Sequence, residues 1–138
     1  MVQPVVVVDP FDVSPEQLKK KRKRVVHDAP GYHVWVHGPD EPGETGPMHK
    51  HTADQTFQCV QGEATYHFPD GSSAKVRPGM MIVIPAGNLY SIENSGSEAL
   101  ILTGSRAEAS KSASLTAEGD VVSRKARLEG KPSLDAAQ

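Results

Sequence analysis

Gly43-Glu44-Thr45-Gly46-Pro47-Met48-His49-Lys50-His51-Thr52-Ala53-Asp54-Gln55-Thr56-Phe57-Gln58-Cys59-Val60-Gln61-Gly62 begins and ends on glycine and carries two histidines at the head of an extended run. Residues two apart on a strand project to one face, so His49 and His51 can converge on one ion. Gln55, Phe57 and Cys59 keep the same parity, and a regular strand would line one surface with all of them. Taken alone the histidine pair is weak evidence, because such spacing is as often structural as functional.

Working outward, Ala64–Phe68 and Ser73–Arg77 flank Pro69-Asp70-Gly71, a strong β-hairpin signal. Pro78-Gly79 turns into Met80–Ile84, a short apolar run that predicts a buried strand, with Met80 and Met81 filling the core. Leu89–Glu93 and Ala99–Thr103 read as further strands around the Asn94–Ser97 turn. Upstream, His33–His37 alternates strictly, with Val34 and Val36 on one face and His33, Trp35 and His37 on the other. Parity leaves open which of those faces is interior. Gly38–Pro47 holds three prolines and three glycines and predicts a loop. Val25–His27 is extended, and the β-branched Val5–Val8 predicts an opening strand. Ser14-Pro15-Glu16 predicts a helix start, with the helix running through Leu18 into the basic run Lys19–Arg24. About eight short strands at intervals of roughly 8–12 residues indicate a sandwich or barrel.

Composition agrees. The chain has 138 residues, with Gly 12 and Pro 11, which suits one all-β domain with many tight turns. A net charge of −2 gives no global field for nucleic acid or anionic lipid, and Lys19–Arg24 reads as a solvated helix end. No apolar run approaches the roughly 20 residues needed to span a bilayer. Val5–Val8 lacks the flanks of a signal peptide, so a cytoplasmic protein is expected. The single Cys59 excludes an internal disulfide and a Cys-rich zinc site, and reads most simply as a small buried apolar residue.

Gly43-x5-His49-x-His51-x3-Gln55-x6-Gly62 resembles the first motif of the cupin superfamily, and Gly79-x5-Pro85-x-Gly87-x2-Tyr90-x3-Asn94 resembles the second. Every glycine, the proline and the asparagine fall in register, and the resemblance covers Val34 to Thr103. It implies a single cupin-like antiparallel β-barrel of jelly-roll type, often dimeric, with a divalent metal held by three histidines and a glutamate. The chain departs at two places: Gln55 stands where the acidic ligand is expected, and Tyr90 where the third histidine is expected. A Gln amide can ligate but adds no charge, and a phenol is a poor ligand unless ionised.

The expected division is an N-terminal strand and helix arm (1–24), the barrel (25–106) and a polar C-terminal tail (107–138). The candidate metal ligands are His49, His51 and Gln55, for Zn, Fe, Ni or Cu, with Tyr90 as the catalytic proton donor or a ligand. Phe57, Cys59, His33, Trp35 and His37 are the candidate substrate-lining residues. Gln55 could instead hydrogen-bond Tyr90, and Tyr90 could be a packing aromatic. The functional expectation is a metal-dependent enzyme acting on a small organic molecule by Lewis-acid or O₂ chemistry, as isomerase, lyase, cyclase or dioxygenase. The alternative is a non-catalytic binding barrel. A small-molecule ligand and a homodimer are expected, and neither nucleic acid nor membrane.

Overall fold

The computed structural model describes residues 2–19 and 22–108, together with Leu115 and Glu118. One short helix, α1 (Pro15–Lys19), precedes eight strands: β1 (Lys23–Ala29), β2 (Tyr32–Asp40), β3 (Gln55–Gln61), β4 (Ala64–His67), β5 (Ser73–Val76), β6 (Met81–Ile84), β7 (Ser91–Asn94) and β8 (Leu100–Arg106). They form a five-stranded sheet, β1-β2-β8-β3-β6, and a three-stranded sheet, β5-β4-β7. Every pairing is antiparallel. The sheets face one another without closing into one continuous ladder, and the fold is the expected all-β jelly roll.

The core lies between the sheets. Trp35, Phe57, Cys59, Leu100 and Leu102 from the larger sheet meet Ala64, Tyr66, Val76 and Ile92 from the smaller. Three cross-strand rows organise the inner face of the larger sheet. The first is His33–Arg106–Gln55–Ile84, the second Trp35–Gly104–Phe57–Ile82, and the third His37–Leu102–Cys59. Gly104 is needed where it stands, because a Cβ there would sit 2.5 Å from Cε2 and Cζ2 of Trp35. The open parity question is thereby answered: His33 and Trp35 point inward.

Four local expectations are corrected. Val5–Val8 is not a strand, and Val5 and Val7 are largely exposed. β-branched residues favour a pleated surface only when a ladder partner is present. Among the described residues the helix covers Pro15–Lys19, and Lys23 and Arg24 belong to β1 instead of a solvated helix end, while Lys20 and Lys21 lie outside the described residues. Arg22, with φ 50°, has left right-handed helical geometry just before β1. The predicted loop at Gly38 starts later, because β2 continues to Asp40 through a register shift after His37. Gly38, at φ 106°, permits this: a Cβ there would run into the Leu100 carbonyl. Finally, Met80, Met81 and Val83 are exposed, because β6 is an edge strand with one covered face and not a buried run.

The arm is tied to the sheet by specific bonds. Ser14 caps α1 through Oγ to the Gln17 amide, and Gln17 Nε2 donates to the Gly38 carbonyl at 2.7 Å. Arg24 donates to the carbonyls of Asp9 and Asp12. At the other end, Leu115 exchanges backbone bonds with Lys50, while the rest of the expected polar tail, Glu118 apart, lies outside the described residues.

Candidate functional site

The glycine-rich stretch that opens the first motif runs antiparallel to β7 and the residues just before it. Gly43 donates to the Asn94 carbonyl, Gly46 to Ile92, and His49 and Tyr90 exchange both backbone bonds at 2.9 Å. The motifs are therefore neighbours in one sheet. A bend at Thr52-Ala53 separates His49 and His51 from β3, so they do not share one regular strand with Gln55, Phe57 and Cys59. They meet Gln55 across the space between the sheets, through Tyr90.

Tyr90 is the hub. Its ring lies 4.5 Å from that of His49, 6.3 Å from His51 and 6.2 Å from both Phe57 and Tyr66. Gln55 Nε2 donates to Tyr90 Oη at 2.6 Å. Gln55 Oε1 is buried and has no hydrogen-bond partner among the described residues, and the same is true of Tyr66 Oη. Burial, followed by the nearness of Tyr90 and Cys59, pushes the Tyr66 phenol well above its ordinary pKa. His49 and His51 are both buried, with their rings edge to face at 5.1 Å. His49 Nδ1 is bonded to the Pro47 carbonyl at 2.8 Å, and Arg106 Nη1 reaches His51 Nδ1 at 3.3 Å.

The remaining expected residues divide. Phe57 joins the cluster and stands edge-on to Trp35 at 5.5 Å. Trp35 stacks on His33 at 5.1 Å, with the Arg106 guanidinium 5.3 Å from its centroid. His33 is fully buried, and burial, reinforced by the positive charges of Lys23 and Arg106, lowers its pKa to about 4. It is a neutral histidine lodged beside the site. Cys59 sits two rows away, its thiol donating to the Gly62 carbonyl and its pKa raised by burial. His37 is engaged elsewhere, bonded to Asp40 Oδ2 at 2.6 Å. Burial raises the Asp40 carboxyl pKa, but the His37 contact outweighs it and the net shift is downward.

Arg106 and Tyr66 were not among the sequence candidates. Arg106 ends an inward parity series, Leu100, Leu102, Gly104, Arg106, and a lone cation on such a series is the signal that could have found it.

A divalent ion needs deprotonated, preferably anionic, donors facing one point. Here the set is two imidazoles, an amide already bonded to a phenol, and a guanidinium against one imidazole. Among the described residues, no three His, Cys, Asp or Glu side chains gather as a metal site would require. These residues do not fit a divalent metal. No helix among the described residues is long and apolar enough to cross a membrane.

Comparison with known proteins adds the following. Residues 40–103 match the family described as Cupin domain. No curated protein matches the sequence. Among solved structures, TT1209 from Thermus thermophilus is similar with a TM-score of 0.62 and 20% identity, over 75% of this chain and 98% of that one. An uncharacterized conserved protein with a double-stranded β-helix domain from Klebsiella pneumoniae is similar with a TM-score of 0.61 and 23% identity, over 75% and 90%. KdgF from Halomonas sp. is similar with a TM-score of 0.53 and 19% identity, over 64% and 79%. At such identities the structural likeness is one of fold.

Proposed function

We propose that the chain, whose residues 40–103 match the Cupin domain family, is a member of the cupin superfamily and binds a small organic molecule at the cluster of His49, His51, Gln55 and Tyr90. The observation that carries this reading is Gln55 Oε1, a buried amide oxygen with no partner among the described residues. Leaving such an acceptor unmatched costs about 1–3 kcal/mol, and a ligand hydroxyl or N–H would satisfy it. The neighbouring Tyr66 phenol, whose hydroxyl is likewise unmatched among the described residues, would donate to a ligand oxygen. Phe57, Tyr66 and Tyr90 supply aromatic walls for the apolar part of the ligand.

An enzymatic reading has one observation in its favour. The Gln55 amide donates to the Tyr90 oxygen, and a donor there favours the phenolate and so eases release of the Tyr90 proton to a substrate. A metal held by His49, His51 and Gln55 would require the donor set to rearrange. The proposed division of the chain keeps the arm, barrel and tail, with the barrel starting at β1. The exposed Met81 and Val83 on the β6 edge support a homodimer.

Native mass spectrometry of the protein as purified, with elemental analysis of the same sample, tests the binding reading. An organic adduct that disappears in Gln55→Leu, with no stoichiometric metal, is the expected result. A stoichiometric divalent metal and no organic adduct would overturn it.

A further inference from the structure

The contact between Arg106 and His51 bears on the position of a proton. A guanidinium has only donors and keeps its charge at any ordinary pH. Arg106 Nη1 lies 3.3 Å from His51 Nδ1, so that nitrogen must present its lone pair. A neutral imidazole carries one proton, which leaves it on Nε2 of His51. His49 is set the other way. Its Nδ1 faces the Pro47 carbonyl at 2.8 Å, a group that only accepts, so the proton sits on Nδ1 and the lone pair on Nε2.

We propose that Arg106 is a positioning residue that holds His51 as the Nε2–H tautomer, so that the histidine pair carries its protons on opposite ring nitrogens instead of presenting two metal-ligating lone pairs. Histidines that bind metal are normally oriented by an acceptor behind the ring, which places the proton on the rear nitrogen and frees the front one. His49 has such an acceptor in Pro47, and His51 has the opposite.

The fold leaves Arg106 little choice of place. It is 5% exposed at the end of β8, paired in register with Gln55 on one side and His33 on the other. Its guanidinium lies 5.3 Å from the Trp35 ring centroid, where the π-face attracts it. Neutral His33 in the same row adds no opposing charge. The arrangement belongs to the free protein and stands apart from the identity of any organic ligand.

Long-range proton–nitrogen NMR of the imidazoles in ¹⁵N-labelled full-length protein near neutral pH tests this, with His51→Gln used for assignment. The expected pattern for His51 is an unprotonated Nδ1 and a protonated Nε2, with the reverse for His49. Arg106→Lys keeps a donor and should keep the pattern; Arg106→Glu supplies an acceptor and should reverse it at His51. Calorimetric titration with Zn²⁺ alone should then show Arg106→Glu binding at least about tenfold more tightly than the unmodified protein. Unmodified protein should bind Zn²⁺ no better than a His49→Ala, His51→Ala variant. If the variants fail to fold, the unmodified spectrum decides: a His51 with its proton on Nδ1 overturns the proposal. So does a His51 pattern that survives in Arg106→Glu.

Discussion

Gln55 Nε2 donates to Tyr90 Oη across 2.6 Å, joining the two positions at which the chain departs from the cupin motifs. The departures are coupled: each residue supplies what the other needs, and neither is an isolated loss.

Tyr90→Phe should therefore destabilise the fold by about 1–3 kcal/mol, because a buried amide donor loses its acceptor. The further change Gln55→Leu in the same protein should recover part of that loss. Urea denaturation of the two single variants and the double variant measures the coupling. Strictly additive changes would mean that the bond contributes nothing.

Gly104→Ala should cost about 1–3 kcal/mol, since the added methyl lands on the Trp35 ring and neither backbone nor indole can give way cheaply. Far-UV dichroism followed through urea gives the midpoint. An unchanged midpoint would show that the indole relocates freely, against the packing described here.

Acid should act through His33. Its folded pKa of about 4 lies below the ordinary 6.5, so its unfolded form takes up a proton that the folded form refuses. The full contribution is present above pH 6.5 and is lost as pH falls toward 4. The loss is at most about 3 kcal/mol. Urea midpoints near pH 7 and near pH 4.5 should differ clearly, and His33→Phe should narrow the gap. An equal gap in the variant would assign the acid sensitivity to other groups.

Arg24→Ala should loosen the first part of the arm, because Arg24 bridges the carbonyls of Asp9 and Asp12 to β1. Hydrogen exchange over residues 9–14 should quicken while exchange in β3 and β8 stays as it was. Acceleration spread through the strands would mean that the arm is integral to the sheet.

Much of this architecture is legible in the sequence where a local rule and the global fold agree. The Pro69-Asp70-Gly71 hairpin and the Ser14 cap follow from turn and capping chemistry within a few residues. The meeting of His49, Gln55 and Tyr90 was legible through motif spacing, though the route was not, since the bend at Thr52-Ala53 breaks the assumed strand. What escaped depends on neighbours distant in the chain. Val5–Val8 has strand composition but no ladder, and Met81 looks like core until β6 proves to be an edge. Arg106 lies far beyond Gln55 in the chain, and cross-strand register brings them side by side.

Trp35 is the chain's one tryptophan; it stacks on neutral His33, with Lys23 Nζ 5.0 Å and the Arg106 guanidinium that contacts His51 5.3 Å from its ring centroid. Nearly all of the protein's long-wavelength ultraviolet emission therefore originates one residue away from the histidine pair. A cation beside an excited indole shifts its colour and drains its intensity. Any occupant that draws Arg106 toward itself would change that glow, and the unlabelled protein carries its own optical gauge of events at His51.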